Sequence, residues 1–203
     1  MRFCAKMSVL GFIGSHFVGR WIPSMDYAQR LALALNDIQQ ADFTALREAY
    51  THTTHYDPYR SGEQDAALIA LLRAEDWAAA AVRCEHLIAA DYLHAPLHLI
   101  MTHIFQQLED ETRATWHLLF ARGLIGSLLS SGDGRTTGTA FKVITVREEY
   151  ELLRALSLQG LGQALITESD RFYDVLRVRD ANGVEGEIFF DVTPIITYAQ
   201  RDG

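Results

Sequence analysis

The chain has 203 residues and a mass of 22.8 kDa, enough for one fair-sized domain or a domain with an appendage. Its apolar fraction of 49% and charged fraction of 22% suit a globular fold and exclude a disordered chain. Acidic side chains outnumber basic ones 26 to 18, and the net charge of −8 repels a phosphate backbone, which excludes a general nucleic-acid binder.

Residues 1–25 place Arg2 and Lys6 ahead of a short apolar run, Met7 to Gly14. That is the order of a secretory signal, but no Ala-x-Ala cleavage pattern follows. A degenerate signal, an amphipathic extension and a start at Met7 or Met25 all fit. The last is preferred, because a helical pattern begins just after Met25. The protein is expected to be cytoplasmic, or exported if residues 1–25 act as a signal. No segment reaches the roughly 18 apolar residues of a membrane span.

From residue 26 the apolar spacing is helical. Asp26 can cap a helix carrying Leu31, Leu33, Leu35 and Ile38, and Asp42 a second with Phe43, Leu46 and Tyr50. After a loop at Thr51–Arg60, a third carries Leu68, Ile69, Leu71 and Leu72. Asp76 caps a fourth, which turns Trp77, Ala80, Ala81, Cys84, Leu87 and Ile88 inward. Pro96 suits the first turn of a fifth, with the stripe Leu97, Ile100, Met101, Ile104, Phe105, Leu108. A sixth runs from about Thr112 to Leu129. Asp42-Phe43 and Asp76-Trp77 lie 34 residues apart, and the next such step lands on Asp110-Glu111. With Ala80 three residues after Trp77, this period resembles the tetratricopeptide repeat over roughly residues 27–129. A plain antiparallel helical bundle remains the alternative. Either way a helix pair cannot bury its stripe alone, so neighbours must stack and leave a concave face.

A loop from Ser130 to Gly138 ends the helical pattern. Thr139–Ile144 then alternates as a strand, and Thr145-x-x-Glu148 reads as a capping box for a short helix ending near Gly160. Strands Arg171–Asp180 and Val184–Ile196 flank the three-residue loop Ala181-Asn182-Gly183. Pairing Asp180 with Val184 sets Leu176 opposite Ile188, Asp174 opposite Phe190, Arg177 opposite Glu187 and Arg179 opposite Glu185. This register puts opposite charges face to face. The expected class is α+β: stacked antiparallel helix pairs over 26–130, then a small antiparallel sheet with one helix over 131–203.

Several strings resemble an uncharacterised bacterial domain-of-unknown-function family. They are Tyr56-Asp57-Pro58-Tyr59, Ser131-Gly132-Asp133-Gly134, Thr139-Ala140-Phe141-x-Val143-Ile144, Glu148-Glu149-Tyr150 and Ile188-Phe189-Phe190-Asp191. The resemblance implies a shared α-plus-β fold and brings no established activity with it.

Candidate sites are few. The glycine-rich loop follows a helix rather than preceding one, so its surroundings are negative and disfavour phosphate. A cation held by Asp133, Thr136 and Thr137 is electrostatically more sensible, and a tight turn needing glycine is the plain alternative. His52, His55 and Asp57 have the ligand types of a metal site without a known spacing. His98, Thr102 and Gln106 are expected on a solvated or groove-lining stripe, while His94 falls outside its helix because of Pro96. Cys84 reads as inert packing, and two cysteines make no disulfide scaffold. The 16 arginines against two lysines are scattered, as codon bias explains and an anion site does not. Glu148 and Glu149 read as helix-start residues. Nucleophile, zinc and phosphate-loop motifs are missing, and no catalytic residue, metal or cofactor is assigned.

These features point to a protein- or peptide-binding scaffold with a helical groove, its partner a protein or peptide, and the acidic surface suits a basic one. Binding is expected at Tyr56, Asp57, Tyr59, His98, Ser131, Asp133, Thr136 and Thr137. A hydrolase or metal-dependent enzyme between the Tyr56–Tyr59 and Ser131–Thr137 loops is the alternative. It gains if the loops converge on one polar pocket and loses if Tyr56 and Tyr59 are buried in apolar contacts. An immunity-like or secretion-associated role fits size and charge without residue-level support.

Overall fold

The structure is a computed structural model that describes residues 25–60 and 65–201; the expectations for residues 1–24 lie outside these. Six helices come first: α1 Tyr27–Asn36, α2 Phe43–Tyr50, α3 Ala66–Arg73, α4 Trp77–Ala90, α5 Ala95–Gln107 and α6 Glu111–Leu129. Five of them start on an aspartate whose carboxylate accepts a backbone N–H in the first turn: Asp26, Asp42, Asp65, Asp76 and Asp110. Each such cap is worth about 1 kcal/mol. A share of the acidic excess is therefore helix punctuation. Only α5 departs, with His94 at its cap position and Pro96 just inside.

The period of 34 reappears in the backbone. Both α3–α4 and α5–α6 are joined by a turn with a glutamate in the left-handed region, Glu75 at φ 55° and Glu109 at φ 56°. In each, the next aspartate donates its N–H back into the preceding helix, Asp76 to Leu71 at 3.1 Å and Asp110 to Phe105 at 2.8 Å. The first pair differs, being joined through a 3-10 turn at Ile38–Gln40. Helices α3 to α6 pack in chain order, while α2 packs on α6. At that crossing Gly123 faces the ring of Phe43, which occupies the space a Cβ would need, and Phe43 meets Phe120 edge-on at 5.1 Å.

After α6 come β1 Phe141–Lys142, α7 Val146–Ala155, β2 Gln159–Glu168, β3 Arg171–Arg179, β4 Glu185–Asp191 and α8 Thr193–Arg201. The strands form one sheet in the order β1-β4-β3-β2. Leu152 and Leu153 of α7, Leu128 of α6 and Ile195 of α8 pack with Phe141, Leu176, Val178 and Phe190 in its core. A second cluster joins α3 to α6 around Met101, Ile104 and Phe105. A third ties α1, α2 and α6 to Tyr56 and Ile144.

The α+β class holds, and so does the hairpin register, with Leu176 opposite Ile188 and Arg179 opposite Glu185. Four details differ from the sequence reading. The first strand shrinks to two residues and runs parallel to β4, so the sheet is mixed. Helix α7 stops at Ala155 because Ser157 turns left-handed, and Leu158 N–H closes on the Leu153 carbonyl. An extra strand, β2, then takes the last two residues expected of that helix, Gln159 and Gly160, and runs on to Glu168, a stretch for which no element was expected. The last strand ends at Asp191, since Pro194 has no N–H for a ladder and suits the first turn of a helix instead. The sheet thus carries two helices rather than one.

The glutamate at position 109 costs backbone strain that glycine avoids. Glu109→Gly is expected to raise unfolding free energy by about 1 kcal/mol, read by urea denaturation, whereas Glu109→Ala should bring no gain.

Candidate functional site

Helix α7 carries an unusual load: Glu148, Glu149 and Glu151 are all buried. Glu148 forms a two-pronged bond with Arg47 of α2, Nε to Oε1 and Nη2 to Oε2, both at 2.8 Å. Arg47 also donates to the Lys142 carbonyl at 3.0 Å and the Ser127 hydroxyl at 3.3 Å. The second Glu148 oxygen accepts the Ile144 N–H at 2.7 Å. Thr145 caps α7 as expected, through the Glu148 N–H. The Glu148 carboxylate, however, reaches past the cap to Ile144 and Arg47 instead of closing a capping box. Its neighbour Arg147 spans the other direction, donating to Asp91 at 2.7 Å and Glu151 at 2.9 Å.

Against this face of α7 lies a cleft of about 460 Å³ between α3, α4, α5 and α7. Leu68, Ile69, Leu72, Leu87, Leu97 and Ile100 line it with apolar surface, and Arg60, Asp65, Asp91, His94, Arg147 and Arg154 bring the polar groups. Both of these carboxylates are already held, Asp65 by Arg83 and Asp91 by Arg147. Arg60 donates to the Ala90 carbonyl at 2.7 Å and sits 3.9 Å from Asp57. Arg154 is exposed and makes no ion pair among the described residues. Burial, with the positive charge of Arg147, holds His94 neutral, its pKa lowered to about 4.

Two further buried titratable groups lie away from the cleft. His98 is 0% exposed, stacked on Phe120 at 4.4 Å, with Nε2 3.1 Å from the Tyr92 carbonyl and Nδ1 3.0 Å from His117 Nδ1. A carbonyl only accepts, so His98 is protonated at Nε2 and His117 must donate from Nδ1. Burial, reinforced by the facing imidazole, lowers the His98 pKa to about 3. Glu149 is 1% exposed and neither oxygen has a hydrogen-bond partner. Burial first, then repulsion from Asp174 and Glu148, pushes its pKa up to about 8.

The sequence-predicted binding residues do not assemble into one site. Tyr56 is buried among Tyr50 and Tyr198, with ring centroids at 5.5 and 5.2 Å, and its hydroxyl donates to the Ile144 carbonyl at 2.6 Å. Tyr56 therefore plugs a seam. Tyr59 is 51% exposed, and Asp57 accepts the Tyr59 N–H at 3.1 Å. His98 is enclosed rather than groove-lining, because α6 lays Phe120 and His117 over it; Thr102 is buried beside it, while Gln106 is exposed. Ser131 ties α6 to β1, donating to Leu128 and accepting from Lys142 N–H at 2.9 Å. Asp133 accepts the Arg135 N–H, and Thr136 turns its hydroxyl to Thr139. Thr137 opens a 3-10 turn. In the same loop Gly134 has φ +67° and lies against the Phe141 ring. The cleft beside Ser131 takes Thr44, Arg47 and Lys142 but no residue of the Tyr56–Tyr59 loop. His52 and His55 are exposed, and no group of three His, Cys, Asp or Glu side chains among the described residues is placed to hold a metal. Cys84 is wholly buried, its thiol pushed up to about 12 by desolvation.

The apolar residues of the cleft read in the sequence as helix stripes facing a core, and nothing there marks them as a pocket. The signal available was Leu68-Ile69-x-Leu71-Leu72, whose apolar residues cover more than one helix face.

Helix rows, a four-stranded mixed sheet and a closing helix define an α+β protein. Over residues 26–201 the chain matches a family described as Domain of unknown function (DUF4919), and it belongs to that family. No curated protein and no solved structure matches it. No described helix is long and apolar enough to cross a membrane.

Removing one partner of a buried ion pair strands the other. Arg47→Met is expected to cost about 3–5 kcal/mol in urea unfolding, and adding Glu148→Gln, which keeps an acceptor for Ile144, should recover part of that loss. Glu149 binds its proton more tightly folded than unfolded, so its contribution is complete below pH 4.5 and drains away as pH rises toward 8. Glu149→Gln should therefore gain on the wild type by up to about 1.4 kcal/mol per pH unit across that window. Unfolding free energies of both proteins at pH 5, 6.5 and 8 check this.

Proposed function

We propose that the protein binds a partner polypeptide, which inserts an apolar side chain into the cleft between α3, α4, α5 and α7. The helices are read as tetratricopeptide-type pairs serving as the scaffold. One observation carries this: an apolar floor with open positive charge at its edge. Ile69, Leu72, Leu87 and Ile100 are half-buried and turned to the cleft, so each still has apolar surface to lose to a guest. At about 460 Å³ the space is within the usual range for a ligand site. The floor is carried by helices and closed on one side by Arg147, itself pinned by Asp91 and Glu151, so little ordering is needed on binding.

The net charge of −8 steers basic molecules toward the surface at large. At the cleft the balance is different, since Asp65 and Asp91 are held while Arg154 is open. A large apolar residue followed closely by a carboxylate fits both features, and Arg supplies the fork that receives it.

Selection from a displayed random-peptide library with the whole chain is expected to enrich an apolar anchor with a neighbouring Asp or Glu. Ile69→Arg should weaken the selected peptides about 30-fold, the scale of an interface anchor, while Arg154→Ala should erase the acidic preference and spare the anchor. Peptides that bind Ile69→Arg equally well would refute the reading.

A further inference from the structure

Strand β2 ends the sheet, and its outer edge pairs with nothing among the described residues. Native edges are usually blunted by lysine, proline, bulges or a covering element. Here Gln159–Thr167 contains no charge and no proline, and the strand is exposed along nearly all its length. A bulge lies between Gly160 and Gly162, which leaves Gly162–Glu168 as an unbroken stretch running to the hairpin turn. Leu165 is 54% exposed and Ile166 36%.

The turn fixes which backbone groups point outward. Ser169 and Asp170 both have positive φ, 49° and 60°, the two-residue turn whose flanking pair, Glu168 and Arg171, is hydrogen-bonded. Alternation then directs the N–H and C=O groups of Glu168, Ile166 and Ala164 toward β3, and those of Thr167, Leu165 and Gln163 away from the sheet. The free edge thus offers donors and acceptors at every second residue over seven residues centred on Leu165.

We infer that β2 is a self-association edge, and that two copies of this chain pair through it antiparallel about a twofold axis at Leu165. Pairing the whole bulge-free stretch with itself permits one register. Leu165 lies opposite the second copy's Leu165, Gln163 opposite Thr167, Ile166 opposite Ala164, and Glu168 opposite Gly162. Exposed apolar side chains then meet each other, and the one charged residue meets a glycine, so no like charges oppose. The two sheets continue into one of eight strands, an isologous contact of the kind that closes a dimer. A shift by two residues in either direction sets Leu165 against Gln163 or Thr167 and shortens the overlap at the bulge or the turn. A second copy is favoured over an unrelated strand by this fit of the stretch to itself.

Sedimentation of the full chain at about 100 μM, a concentration at which a modest interface is populated, should give a particle of twice the 22.8 kDa chain. Leu165→Lys sets two charges together on the axis and should sediment as single copies, with unchanged far-ultraviolet circular dichroism because the residue is exposed. Glu168→Lys, facing glycine, should remain dimeric. A wild-type chain that is monomeric at that concentration overturns the proposal. So does a Leu165→Lys chain that still dimerises, and so does loss of the dimer in Glu168→Lys.

Discussion

The guanidinium of Arg47 and the carboxylate of Glu148 are the joint between the helical layer and the sheet. Both side chains are at most 5% exposed, and they come from segments 101 residues apart. Such a pair loses much of its attraction to desolvation, so its value is not chiefly in net stability. It lies in direction. Four donor contacts on Arg47 and a backbone N–H on Glu148 leave few ways to seat α2 against α7 without orphaning a charge. Tyr56 and Pro58 reinforce the same seam through the Ile144 carbonyl and the Val146 N–H.

The cleft follows from that joint. Arg147 leaves α7 beside Glu148 and reaches Asp91, the residue that closes α4. The wall facing the apolar floor is therefore set in place by two adjacent side chains pulling toward different helices. Were α7 turned by one residue, the order of charges would fail on both sides at once.

Much of the helical half was legible because its signals are local. Asp42, Asp76 and Asp110 announce helix starts through short-range capping chemistry, and the stripe from Leu97 to Phe105 shows its buried face directly. The β3–β4 register was equally accessible, since pairing Arg179 with Glu185 needs only charge and the parity of a strand. Burial of charge was not legible. Glu148 and Glu149 look like ordinary first-turn acids, and only the approach of α2, a hundred residues away, gives one of them its partner. His98 was misplaced for a related reason: its neighbours Phe120 and His117 arrive from the next helix. Strand β2 hid because Gln159–Thr167 has two glycines and no alternation, having both faces exposed.

Gly123 carries a consequence beyond its own contact. Phe43 rests where a methyl group would sit, and one helical turn further along the same two helices Arg47 meets Ser127. The crossing is a fulcrum, with the ring as its pivot and the guanidinium at the end of a short lever arm. Any side chain added at the pivot would lift the far end, so the damage would surface at the Ile144 amide, in a segment that the altered residue never touches.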